Sequence, residues 1–224
     1  MAAKVITVFN QKGGCGKSMI TMQLAGTFGM RGYKVFVIDM DAQNTAALWF
    51  HQADAESPFP ATVLSMAPLQ DAFVDKMDGI MRSHDIIIVD CPPALGSSVP
   101  WASLSIADLA LIPVVPVMDN VWATPQAQEL VVKANARRKD RGIPEVQAAL
   151  VLNMVKRGTV FDVCLEVLQE KALFPILETR LNMLNIFPES QLQGSVATGR
   201  ATGAQQINAL ADEVAALLKI GGTK

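Results

Sequence analysis

Val5-Ile6-Thr7-Val8-Phe9, followed by Gln11-Lys12-Gly13-Gly14-Cys15-Gly16-Lys17-Ser18, is the stretch that decides the fold. The apolar run predicts a buried strand, and Met19-Ile20-Thr21-Met22-Gln23-Leu24-Ala25 behind the glycines has the apolar spacing of a helix. Strand, glycine-rich loop, Lys-Ser and helix together form the context in which a loop cradles phosphate. Glycines let the backbone curl until its N–H groups converge on phosphate oxygens, and the helix N-terminus adds a favourable dipole. Lys17 supplies a point charge for the terminal phosphates, and the Ser18 hydroxyl can ligate a magnesium ion. A dinucleotide fingerprint fits less well: reading from Gly14 and Gly16, its third glycine falls on Met19.

Further along the chain, Val35–Asp39, Ile86–Asp90, Leu109–Ile112 and Ala148–Leu152 are continuous apolar runs rather than alternating ones. Such runs predict strands covered on both faces, as in a parallel sheet. Helical patterns lie between them, as at Pro125–Arg138 and Phe161–Lys171. The layout predicts an α/β doubly wound, mostly parallel sheet with helices on both faces, in a single domain over 1–224. His51–Pro60 and Gln191–Gly203 are the least regular stretches and read as loop. Ligands of such sheets sit beyond the carboxyl ends of the strands. That rule gathers the glycine loop, Asp39-Met40-Asp41 and Asp90-Cys91-Pro92-Pro93 into one candidate site. An aspartate closing a strand also serves as a helix cap or turn residue. Beside a phosphate loop, Asp39 and Asp90 can instead hold magnesium through water, and Asp41 can orient a water for attack.

Composition sets outer limits. The chain has 224 residues, half of them hydrophobic, and a formal charge of −2, which excludes a globally basic nucleic-acid coat but not a local patch. Its three cysteines, Cys15, Cys91 and Cys164, form no C-x-x-C pair, which argues for thiols in a reducing cytosol. No signal-peptide pattern opens the sequence, and no apolar run reaches the roughly 18 residues of a membrane span. From Ala204 to Ile220, Ile207, Leu210, Ala211, Val214, Leu217 and Leu218 predict a helix stopped by Gly221-Gly222. Its polar face carries only Lys219 as a cation, which favours packing on the core over lying on a membrane.

The early lysine is the departure from an ordinary phosphate loop: Gln11 stands where glycine is usual, and Lys12 follows. This K-G-G-x-G-K-S form resembles the deviant Walker A box of the ParA/MinD family of ATPases. Val37-Ile38-Asp39-Met40-Asp41-Ala42-Gln43 is similar to that family's D-x-D-P-Q box, with Ala42 for proline, and Ile87–Pro93 to its D-x-P-P box. Ala107–Val114 resembles the next strand, Asp119–Ala123 the loop after it, and Val151-Leu152-Asn153 a strand ending in an adenine-contacting asparagine.

The resemblance implies ATP and Mg2+ as ligands. Gly13, Gly14, Cys15, Gly16, Lys17, Ser18, Met19 and Asn153 would lie against the nucleotide, and Ser18, Asp39 and Asp90 against the metal. Asp41 would be the hydrolytic aspartate, with Lys17 at the phosphates and Lys12 reaching across a homodimer to the partner's nucleotide. Met19 replaces a threonine common in the family, which removes one hydroxyl contact to the α-phosphate. Cys91 invites comparison with the related nitrogenase iron protein, but no second suitably placed cysteine accompanies it, so a buried thiol is the better reading.

A ParA-like member implies a weak ATPase that dimerises on ATP, binds DNA non-specifically and segregates a plasmid, a chromosome or another large cargo. A ParB-like or other adaptor would stimulate hydrolysis, and the setting would be cytoplasmic and nucleoid-associated. Arg137, Arg138, Lys139 and Arg141, together with Lys156 and Arg157, are the candidate DNA contacts; solvated helix ends are the plainer reading of both groups. A MinD-like membrane-associated ATPase and a nucleotide-holding adaptor without turnover are the alternatives.

Overall fold

In the computed structural model, which describes residues 3–93 and 96–221, β1 (Lys4–Val8) runs into the glycine loop and then into α1 (Lys17–Met30). β2 (Val35–Asp39), α2 (Thr45–His51) and β3 (Thr62–Ser65) follow. A 3-10 stretch (Ala67–Lys76) and α3 (Met77–Ser83) lead to β4 (Ile86–Asp90) and α4 (Val99–Ile106). Next come β5 (Leu109–Val114), α5 (Met118–Asp140), β6 (Gln147–Val155) and α6 (Thr159–Lys171). β7 (Ile176–Asn182), α7 (Ile186–Leu192) and α8 (Thr202–Leu218) complete the described chain.

The seven strands form one sheet in the order β3-β2-β4-β1-β5-β6-β7, and every pairing is parallel. β2, β4 and β5 are buried at every residue, as their unbroken apolar runs predict. Successive side chains point to opposite faces: Ile87 and Val89 join one core, Ile86 and Ile88 the other. Helices therefore cover both faces.

Two edge strands escape the sequence reading. β3 is short and carries no buried residue, while β7 alternates apolar with polar residues, as at Leu177-Glu178 and Arg180-Leu181. α5 begins seven residues before Pro125, the predicted start, and keeps that proline inside the helix. α1 runs on past Gly26 and Gly29, which look like breakers in sequence. A Cβ on Gly29 would overlap the Pro60 carbonyl, so glycine there buys close packing of the Phe59-Pro60 segment against the helix. His51 belongs to α2, Gln191 and Leu192 to α7, and Thr202 and Gly203 to α8; the segments between them are irregular, as expected.

α8 buries Ile207, Leu210, Ala211, Val214 and Leu218 in the core that also holds α1. The apolar face that could have met a lipid surface is thus occupied by protein. Gly222, half of the predicted stop, lies outside the described residues. No described helix is long and apolar enough to cross a membrane.

Candidate functional site

Three strand ends meet at one point. β1 lies beside β4, and β4 beside β2, with Asp39 paired in register to Asp90. The glycine loop arches over this junction. Gly14 and Gly16 adopt φ of 73° and 84°, conformations that L side chains resist. Gly16 has a second reason to be glycine: a Cβ there would collide with Asn153 Nδ2.

The loop is braced from both sides. Asn10 donates from Nδ2 to the Pro113 carbonyl at 2.7 Å, and its Oδ1 accepts the Lys12 N–H at 3.1 Å. From the far side, Asn153 Nδ2 donates to the Cys15 carbonyl at 2.8 Å. Lys17 is only 6 % exposed, and its ammonium donates to the Lys12 carbonyl at 3.1 Å. Cys15 Sγ donates to the same carbonyl at 3.3 Å, and burial raises its thiol above the ordinary range. The Lys12 ammonium forms no ion pair among the described residues.

The carboxylates divide their duties. Asp39 is fully buried; one of its oxygens accepts the Asp41 N–H and the other the Ala47 N–H, each at 3.0 Å. It therefore does hold the following turn, as a strand-end aspartate often does. Burial raises its carboxyl above the usual range despite those bonds. Asp41 is partly exposed at the lip and accepts the Gln43 N–H at 2.9 Å. Asp90 is wholly buried, and Oδ2 has no partner among the described residues. Burial pushes its carboxyl up to about 7, opposed by a Ser18 hydrogen bond and reinforced by the Asp39 charge.

An orphaned carboxylate oxygen beside a serine hydroxyl is a donor set that suits magnesium. Among the described residues, no three His, Cys, Asp or Glu side chains form a metal cage alone. Magnesium needs no such cage, since it commonly completes its shell with phosphate and water beside one or two protein oxygens.

A cavity of about 250 Å³ adjoins the loop, lined by Met19, Asn153, Met154, Asn182, Leu184 and Pro188 among others. Apolar walls with a few amides suit a purine. Met154 has φ of 52°, and the β6–β7 register shifts there, an irregularity that re-aims side chains toward the loop. The sequence names Met19 and Asn153, both of which line this cavity, but not the wall from Asn182 to Pro188. The available signal was positional: this segment follows the last strand at the same end of the sheet. Asn10, which lies between the strand and the glycines, goes unnamed as well.

Cys91 Sγ lies 3.3 Å from Thr7 Oγ1 and 3.4 Å from Ser103 Oγ, and burial pushes its thiol up to about 11. Cys164 is buried on α6 against Met118. Neither faces the other, and both are packing thiols.

The basic groups fall at opposite ends of the sheet. Lys156 and Arg157 follow β6 at the carboxyl end, and both are exposed. α5 runs back along the sheet, so Arg137–Arg141 end at its amino side. Arg138 is a correction to the sequence reading. It is 9 % exposed, and its guanidinium donates to the carbonyls of Pro144, Leu104 and Ser105 at 2.7, 2.8 and 2.9 Å, which ties α5 to α4. Arg137 stacks over Trp101, 5.7 Å from the ring centroid.

Known proteins place this architecture. The chain is 29% identical over 223 residues to maintenance of carboxysome distribution protein A of Halothiobacillus neapolitanus, covering 95% of this chain and 96% of that one. It is 26% identical over 147 residues to the sporulation initiation inhibitor protein Soj of Bacillus subtilis, covering 50% of this chain and 58% of Soj. The fold matches a Cyanothece McdA–ATP complex with a TM-score of 0.77 at 16% identity, over 100% of this chain and 99% of that one. It matches Pyrococcus horikoshii MinD with Mg-ADP at 0.72 and 19% identity, over 95% and 96% of the two chains. A family model described as the CobQ/CobB/MinD/ParA nucleotide binding domain covers residues 6–222. The chain, with its braced glycine loop and paired strand-end aspartates, belongs to that family.

Proposed function

We propose that this protein is an ATP-dependent positioning ATPase of the ParA kind, which dimerises on ATP and distributes a large cargo. The observation that carries the reading is the different fate of the two loop lysines. Lys17 is tucked beneath the Lys12 carbonyl, inside its own loop, whereas the Lys12 ammonium has no ion pair among the described residues. A cation held at the mouth of a phosphate site with no local partner suits a phosphate brought by a second subunit. Such cations contribute about 10³–10⁵ in rate in other NTPases.

Lys17 then neutralises the terminal phosphates, and Asp41 at the lip holds the attacking water. Ser18 and Asp90, with Asp39 behind them, would hold magnesium, which when bound would neutralise charge building on the phosphates. The cavity from Met19 to Pro188 takes the adenine. A protein compartment is the favoured cargo, since the relative matched over nearly its whole length is named for carboxysome distribution. Non-specific DNA binding belongs with Lys156 and Arg157, at the same end as the loop, and with exposed Lys139. Slow turnover stimulated by a cargo adaptor completes the reading, and the buried face of α8 argues against a membrane-bound alternative.

Light scattering and DNA binding, each with ADP and with a non-hydrolysable ATP analogue, test it on wild type and Lys12→Ala. Wild type should dimerise and bind DNA only with the triphosphate, and Lys12→Ala should do neither. Equal behaviour in both nucleotides overturns the switch, and no ATP turnover with DNA and adaptor present overturns the ATPase.

A further inference from the structure

Far from the nucleotide site, α4 and the last turn of α5 enclose a cavity of about 190 Å³ at the amino end of the sheet. Its walls are Trp101, Ala102, Ala134 and Ile143, with Arg137 and Arg141 at the rim. Arg138 also lines it, its guanidinium already bonded to the Leu104, Ser105 and Pro144 carbonyls. No carboxylate is among the lining residues. Two exposed guanidinium groups, Arg137 and Arg141, therefore border one concave, partly apolar space whose lining holds no carboxylate, while the buried Arg138 is committed to its carbonyls and feels the Asp108 charge.

The geometry points to a docking pocket for an acidic peptide segment of a partner protein, one that inserts a carboxylate side chain beside an apolar one. Size selects a side chain over a whole drug-sized ligand, which takes about 300 Å³ or more, whereas the adenine beside the glycine loop is only part of its ligand. Shape selects it over DNA. A duplex is a convex rod whose phosphates are reached by projecting cations, whereas here Arg137 lies over the Trp101 ring. Charge selects the carboxylate, since planar guanidinium groups match it with paired N–H donors. Trp101 and Ile143 supply apolar contact for the neighbouring side chain.

The pocket is also connected. α4 follows the Asp90–Pro93 strand end, and its Ser103 bonds to Thr7 and lies against Cys91. A segment seated on Trp101 would thus rest on the helix that leads away from the candidate metal site.

Fluorescence anisotropy of a fluorescein-labelled Glu-Leu-Asp-Glu-Leu-Asp peptide tests this on the full chain. Its Gln-Leu-Asn-Gln-Leu-Asn counterpart, amidated at the C-terminus, is the control. The acidic peptide should bind saturably, and the amide peptide at least about tenfold more weakly, the scale of one lost charge-assisted bond. Arg137→Gln with Arg141→Gln should weaken the acidic peptide by about the same factor. Both positions are exposed, so this variant should fold, and Arg138 is left in place to hold α4. Trp101→Phe should retain most binding, and Trp101→Ala should lose it. No saturable binding, equal binding of the two peptides, or an unchanged double arginine variant overturns the proposal. So does displacement of the peptide by a short DNA duplex with the same arginine dependence, which would make the pocket part of a DNA surface.

Discussion

Asn153 reaches back 138 residues to donate a 2.8 Å hydrogen bond to the Cys15 carbonyl, and its amide occupies the space a side chain on Gly16 would need. The curvature of the phosphate loop is therefore set by the end of β6 as much as by its own glycines. Gly16→Ala should abolish nucleotide binding while leaving cooperative unfolding, because it adds both a strained φ and a collision. Asn153→Ala leaves a buried carbonyl unpaired and should lower nucleotide affinity by about tenfold. Calorimetric titration reads both, and an unchanged affinity in either variant removes the brace from the account.

Asp90 should make the nucleotide-free protein sensitive to pH. Its folded pKa is raised from 3.8 to about 7, so the folded state holds this proton more tightly than the unfolded chain. Stability linked to Asp90 is thus full below about pH 4 and is lost as pH rises through about 7. Asp90→Asn should be more stable than wild type at pH 8, by up to about 4 kcal/mol, with the gap closing toward pH 4. Denaturant titrations across that range, without nucleotide or magnesium, check it; parallel curves for the two proteins would exclude it.

Asp39 and Asp41 should separate in a mutant series. Asp41→Ala touches only a turn and the lip, so ATP binding and stability should hold while hydrolysis falls about 100-fold or more. Asp39→Ala removes the acceptor for two backbone N–H groups, and should cost about 1–3 kcal/mol of stability as well as magnesium-dependent binding. The order of the two effects is the test: an Asp41→Ala variant as unstable as Asp39→Ala contradicts the division.

Arg138 should behave as a core residue and Lys139 as a surface one. Arg138→Ala strands three carbonyls and should destabilise by about 2–4 kcal/mol, whereas Lys139→Ala should stay within about 0.5 kcal/mol. Thermal unfolding distinguishes them. If DNA binding falls in Arg138→Ala at unchanged stability, the structural assignment is wrong.

The central strands and the phosphate loop were legible because their signals are local. A run such as Ile86-Ile87-Ile88-Val89 has few folded outcomes, and the glycines, lysine and serine sit within a few residues of each other. What stayed hidden depends on neighbours distant in sequence. β7 is an edge strand, so Glu178 and Arg180 reach solvent and break the apolar run. Nothing local distinguishes Arg138 from Arg137; only the approach of α4 turns one inward. The wall from Asn182 to Pro188 has no residue pattern of its own and becomes a pocket only when the strand ends converge.

The central position of β1 has a consequence for synthesis. Its sheet neighbours are β4 and β5, so β1, made before either, waits for residues 86–90 and 109–111 before it can pair. The loop it carries waits longer, until Asn153 has emerged to bond Cys15. Nucleotide therefore cannot template the chain before then, and the apolar Val5–Phe9 segment stays unpaired until those later strands emerge. A ribosome stalled before residue 153 should display a chain blind to ATP, and one stalled after β6 has cleared the exit tunnel should begin to capture it.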